Sequence, residues 1–168
     1  IRARTQSTGI QLGSPTASTS GTAISFTGIP AGTRRITVHF SGVSTNSTGA
    51  LCVRLGDSGG VETSGYLVNS ITTNSSAIAT QQQTDGFTVN GALGASTTAS
   101  GVAIFSLESA ASNTWVGMVF ISPDTAAGTK IMIGRKALSA ELDRVQVTTA
   151  GGTDTFDAGE ISVSYEAP

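Results

Sequence analysis

Cysteine is nearly absent. The single Cys52 rules out a disulfide within the chain and any zinc site built from several thiolates. Charge is scarce as well: Asp, Glu, Lys and Arg make up 12% of the 168 residues, against roughly 25% in an average globular protein. Basic residues cluster only at Arg34-Arg35 and Arg135-Lys136, and the net charge is -2, so the electrostatic footprint of a nucleic-acid binder is missing. The longest apolar run, Trp115 to Ile121, falls far short of the ~18 residues that span a bilayer, and no signal-peptide pattern is visible. One histidine, His39, leaves little material for histidine-based acid–base chemistry.

What the chain has instead is serine, threonine, asparagine, glutamine and 21 glycines, threaded with short alternating segments. Alternation is clearest from Gly21 to Leu55. Ile24 and Phe26 alternate with small residues, and Gly28-Ile29-Pro30-Ala31-Gly32 breaks the run. Ile36, Val38 and Phe40 then alternate with Thr37, His39 and Ser41. After a Ser/Thr/Asn/Gly turn, Leu51, Val53 and Leu55 resume. Period two over this length is the mark of strands with one buried and one wet face.

Further strands are predicted at Tyr66–Thr73, Val102–Glu108, Thr114–Ser122, Thr129–Lys136, Arg144–Thr149 and Glu160–Glu166, with a short one through Ile10 and Leu12. Thr114–Ser122 is apolar on both faces, as in a central strand buried on two sides. Leu138–Asp143 has the length of a single helical turn, and Pro123–Gly128 reads as a turn. Asn74–Ser100 is the longest irregular stretch, anchored by Phe87 and Val89. Nine or ten short strands at near-regular spacing predict an all-β, antiparallel β-sandwich of jelly-roll type. The domain runs from 14 to 168, with residues 1–13 as an N-terminal arm or linker.

Gly56-Asp57-Ser58-Gly59-Gly60 matches the nucleophile loop of trypsin-like serine proteases letter for letter. That chemistry needs a histidine beside the serine and a buried carboxylate behind the histidine. His39 lies mid-strand on the polar face, and the only acid between it and Ser58 is Asp57. A hairpin turn capped by Asp57 is the simpler reading. Asp154, Asp157 and Glu160 crowd one turn with oxygen ligands of the kind calcium takes, but without EF-hand spacing, and Asx turns account for them. Eleven acidic residues neither point to nor exclude a glycosidase pair. Asn46-Ser47-Thr48 and Asn74-Ser75-Ser76 fit the glycosylation triplet, a chance match in so Ser/Thr-rich a chain. Trp115 reads as core, with a sugar-stacking platform as the alternative. Gly56–Gly65 and Asn74–Ser100 are the loops expected to bind, through Asp57, Glu62, Tyr66, Gln81, Gln82 and Gln83.

From about Thr22 onward the chain resembles a domain that recurs in virion proteins of tailed bacteriophages, in tail fibres and virion-associated proteins. The residues that carry the resemblance are Phe26-Thr27-Gly28-Ile29-Pro30, Arg35-Ile36-Thr37-Val38, Ser41-Gly42-Val43-Ser44-Thr45-Asn46, Leu55-Gly56-Asp57-Ser58-Gly59-Gly60 and Glu62-Thr63-Ser64-Gly65-Tyr66. Leu142-Asp143-Arg144-Val145-Gln146-Val147-Thr148-Thr149 and Gly152-Thr153-Asp154-Thr155-Phe156-Asp157-Ala158-Gly159 complete it. Ala31-Gly32 departs from the bulkier residues expected after the proline. The resemblance implies a β-sandwich module on a phage particle, commonly a homotrimer. It lies at a fibre tip, on a spike, or on the capsid as a decoration or head fibre. The resemblance brings no catalytic residue, metal or cofactor. The partners expected are other tail or capsid proteins and a host-surface glycan or protein, with no nucleic acid and no membrane insertion. A glycan-degrading spike enzyme and a bacterial carbohydrate-binding adhesin are the rival readings.

Overall fold

The computed structural model describes residues 9–74, 76–91, 93–95, 97–124 and 128–167. Most of the expected arm, residues 1–8, and part of the expected turn at 123–128 lie outside the described residues. The strands are β1 (Gly9–Leu12), β2 (Thr16–Ala17), β3 (Ala23–Thr27), β4 (Arg35–Thr45), β5 (Leu51–Asp57), β6 (Gly60–Val61) and β7 (Tyr66–Thr73). They continue as β8 (Ile78–Gln83), β9 (Phe87–Thr88), β10 (Ala99–Ser109), β11 (Thr114–Pro123), β12 (Thr129–Ala137), β13 (Leu142–Thr149) and β14 (Phe156–Ala167).

They form two antiparallel sheets packed as a sandwich. The larger runs β1-β14-β4-β10-β11-β12-β7-β8, with β2 on β14; the smaller runs β3-β13-β5-β6, with β9 on β5. β4 is the hub of the larger sheet: Val38 stands opposite Val163 of β14 on one side and Ala103 of β10 on the other. All three are buried, as their alternation demands.

Fourteen strands exceed the nine or ten read from sequence. β2, β6 and β9 have two residues each, too few to show a period. β8, within the stretch expected to be irregular, is exposed along nearly its whole length, so no buried face imposes an alternation. No helix occurs among the described residues, and Leu138–Asp143 is not the helical turn expected. There the Leu138 N–H donates to the Asn113 carbonyl at 3.1 Å, the Ser139 N–H to Glu62 at 2.7 Å, and β13 begins at Leu142. These outside partners fix the segment as a bend at Ser139–Ala140 rather than a helical turn.

The core is an unbroken cluster between the sheets. At its centre an aromatic chain ties them together: Phe87 of the small sheet meets Tyr66 edge-on at 6.0 Å and Phe105 at 5.0 Å, both from the large sheet. Such edge contacts contribute ~0.5–1.5 kcal/mol each beyond area burial. Gly117, directly across from Phe105 on β11, makes room for that ring; a Cβ there would overlap it. Trp115 is buried, in keeping with the core reading.

The reading of β11 needs correction. Val119 and Ile121 are buried on the inner face, but Val116, Met118 and Phe120 on the other face are 40%, 40% and 38% exposed. The small sheet covers one side of the large sheet, and among the described residues no element covers the other.

Candidate functional site

The Gly56–Gly65 segment is a structural corner. β5 turns into β6 over Ser58-Gly59, with Asp57 paired to Gly60. Asp57 is 5% exposed; one carboxylate oxygen accepts from the Gly59 N–H at 2.7 Å and the other from the Ser139 hydroxyl at 2.6 Å. These bonds hold its pKa below the ordinary aspartate value, the Ser139 bond first and the Gly59 bond second. The expected turn cap is therefore present, and it also ties down the strand-to-strand connection at Ser139.

Glu62 forms an ion pair with Lys136 and accepts from the Ser139 N–H at 2.7 Å. Burial pushes its carboxyl up, but the Lys136 ammonium and Ser139 outweigh that, and its net pKa is lowered. Tyr66 is fully buried. Its hydroxyl accepts from the Leu55 N–H at 2.8 Å and has the carbonyls of Leu55 and Glu62 in reach at 3.2 and 2.9 Å. The Lys136 ammonium lies 5.4 Å from the Tyr66 ring centroid, a distance at which cation–π attraction acts.

Three of the six residues expected to bind thus belong to one network inside the fold. Tyr66 does not present an aromatic face to solvent. Lys136 and Ser139, which complete the network, carry no motif; the only sequence signal for Lys136 is its place on the inward phase of β12 with Met132 and Gly134.

The other three lie on β8, the outer strand of the β7–β8 hairpin and an edge of the large sheet. Gln81 and Gln82 are exposed and Gln83 half-buried, and Ile78 is exposed. β8 offers a row of amide side chains beside main-chain groups that no further strand covers among the described residues.

Other sequence features resolve more simply. Ser58 sits at the β5–β6 turn of the small sheet, while His39 projects from the exposed face of β4 in the large sheet, its Nε2 3.3 Å from the Ser164 hydroxyl. The two halves of the protease-like pattern belong to different sheets. Asp157 is bonded to the Ser44 hydroxyl, and Glu160 faces Ser41 across the β4–β14 ladder; no group of three acidic, histidine or cysteine side chains arranged for a metal occurs among the described residues. Cys52 is buried under Thr88, whose hydroxyl lies 3.0 Å from Sγ, and burial raises its pKa to about 11.

Lys130 was not singled out from sequence. It is buried at one end of the sandwich, where its ammonium donates to the Asn90 carbonyl at 3.0 Å and the Gly91 carbonyl at 3.4 Å. It staples the segment after β9 to β12. Burial lowers its pKa.

The largest feature left unassigned is the outer face of the large sheet, where Leu67 and Ile133, 60% and 52% exposed, join the three side chains of β11.

No family model matches the chain, and no curated protein matches it. Among solved structures, a chain from the structure of infectious bursal disease virus Gx strain aligns with 11% identity over 93% of this chain and 39% of that one, with a TM-score of 0.18. At that TM-score the match carries no argument about fold or function.

Proposed function

We propose that this chain is a non-enzymatic structural module of a phage virion, of tail-fibre or attachment type. It stands as a homotrimer on the outside of the particle and presents polar edges to a host surface or to neighbouring subunits. The observation that carries the reading is how the polar residues are used. Asp57, Glu62 and Tyr66 are consumed in holding the sandwich together, whereas Gln81 and Gln82 on β8 stand in solvent on a rigid edge. A glutamine-lined edge strand binds by hydrogen bonds to sugars or to an added strand. Individually weak contacts gain strength when repeated over a trimer and a particle. The sequence resemblance supports the virion setting. Low charge supports recognition by shape and hydrogen bonding over long-range steering.

The test replaces Gln81, Gln82 and Gln83 with alanine in the virion and measures adsorption to host cells. A fall in adsorption rate with intact particles is expected. Unchanged adsorption with particles that come apart more easily would move the assignment to a capsid decoration or head fibre, the second reading. That reading draws on β1, which adds to the opposite edge through β14 and brings the N-terminal end of the described chain there. A glycan-degrading enzyme would require turnover that disappears with a carboxylate pair.

A further inference from the structure

We propose that the outer face of the nine-stranded sheet is the surface on which this chain mates with further copies of itself. The inference rests on the homo-oligomer part of the reading above and names the surface responsible.

The ladder registers give the face row by row. One row runs Ser164, Thr37, Ile104, Met118, Ile133, Asn69, Gln82 from β14 to β8. The next runs Ser162, His39, Val102, Phe120, Ile131, Ile71, Thr80 through the same strands. In both rows the centre is apolar and the margins are polar. A solvent-facing sheet surface alternates polar residues outward. Here the central strands are apolar on both faces, the pattern of a sheet covered on both sides.

The size fits an interface. Eight strands spaced ~4.8 Å apart and averaging about 30 Å in length make a face on the order of 1,000 Å². A standard interface buries about 800 Å² on each partner, with an apolar core and a polar rim. The apolar centre alone is comparable to the largest patches on ordinary monomers, which often prove functional.

Charge identifies the occupant. A surface that meets its own copy must avoid setting like charges against each other. Neither row carries an Asp, Glu, Lys or Arg. The basic groups on this face stand at one end only: Arg35, 3.9 Å from Glu166, and Arg135, opposite Val116. An anionic membrane or nucleic acid would call for more. A face eight strands wide with its apolar strip in the middle also suits a threefold assembly. In a threefold ring the contact is heterologous, so different parts of the face meet on neighbouring copies while the strip gathers near the axis.

The experiment is sedimentation velocity on the full 168-residue chain at tens of micromolar, for the wild type, for Met118→Glu/Ile133→Glu and for Thr27→Glu on the exposed face of the small sheet. The wild type and Thr27→Glu are expected at a multiple of the chain mass, three copies by the reading above. The double variant is expected at one chain, 16.8 kDa, with an unchanged far-ultraviolet dichroism spectrum. A monomeric wild type would overturn the inference and the homo-oligomer reading together. An oligomer that survives the double variant would overturn the choice of face alone. Should the double variant not fold, Met118→Cys treated with a short bismaleimide decides: covalent dimers support the face, and their absence, with Thr27→Cys equally unlinked, overturns it. The buried native Cys52 does not compete in that reaction.

Discussion

Tyr66 and Leu55 are joined through a single oxygen. The phenol of β7 accepts the Leu55 N–H of β5 at 2.8 Å, so one hydroxyl ties the large sheet to the backbone of the small one inside the core. Tyr66→Phe keeps the ring and its edge contact with Phe87 but leaves that N–H buried without a partner. An unsatisfied buried donor costs about 1–3 kcal/mol. Urea unfolding of the variant is expected to show a loss in that range with an unchanged m-value. A loss near zero would mean that Leu55 finds another acceptor.

Acid is expected to loosen the same corner. Asp57 and Glu62 both have folded pKa values below their unfolded ones, through Ser139 and Gly59 for the first and through Lys136 and Ser139 against burial for the second. Depressed carboxylates contribute stability that is fully present above the unfolded values, around pH 4 to 4.5, and is lost as pH falls through the folded values. The stability gap between wild type and Asp57→Asn is therefore expected to be widest near neutrality and to narrow as the pH drops below about 4. A gap independent of pH would show that the carboxylate charge is not what ties Asp57 to its neighbours.

The cysteine is expected to be inert. Only the thiolate attacks a thiol reagent, and burial of Cys52 raises its pKa to about 11. Labelling with a maleimide at pH 7.5 is expected to proceed only after unfolding in guanidinium. Rapid labelling of the native protein would mean that the segment around Gly86, whose backbone crowds the sulfur, opens readily.

Much of this architecture can be read from the chain because most strands have one wet face. Ile36, Val38 and Phe40 announce β4 by alternation, and Asp57 announces its turn. Three features escape for physical reasons. β8 is an edge exposed on both sides, so Ile78 to Gln83 has no period to read. Leu138–Asp143 is not helical because Asn113 and Glu62, distant in sequence, take the Leu138 and Ser139 amides. The network around Tyr66 depends on Lys136 and Ser139, which only the folded register brings beside Glu62. β11 misleads in a different way. Its two apolar faces read as burial on both sides, and the described residues of one chain cover just one of them. That mismatch is the strongest reason to expect further copies against Met118, Phe120 and Ile133.

The two methionines of the chain offer a direct test, because they stand on opposite faces of one sheet. Met132 is fully buried inside the sandwich, and Met118 lies at the centre of the open face. Hydrogen peroxide treatment of the native protein at tens of micromolar, followed by peptide mass spectrometry, measures the oxidation rate of each. Mating through the outer face predicts that Met118 is protected like Met132 and becomes reactive on dilution or in Ile133→Glu. Oxidation of Met118 at the rate of free methionine at every concentration, with Met132 intact, would contradict it.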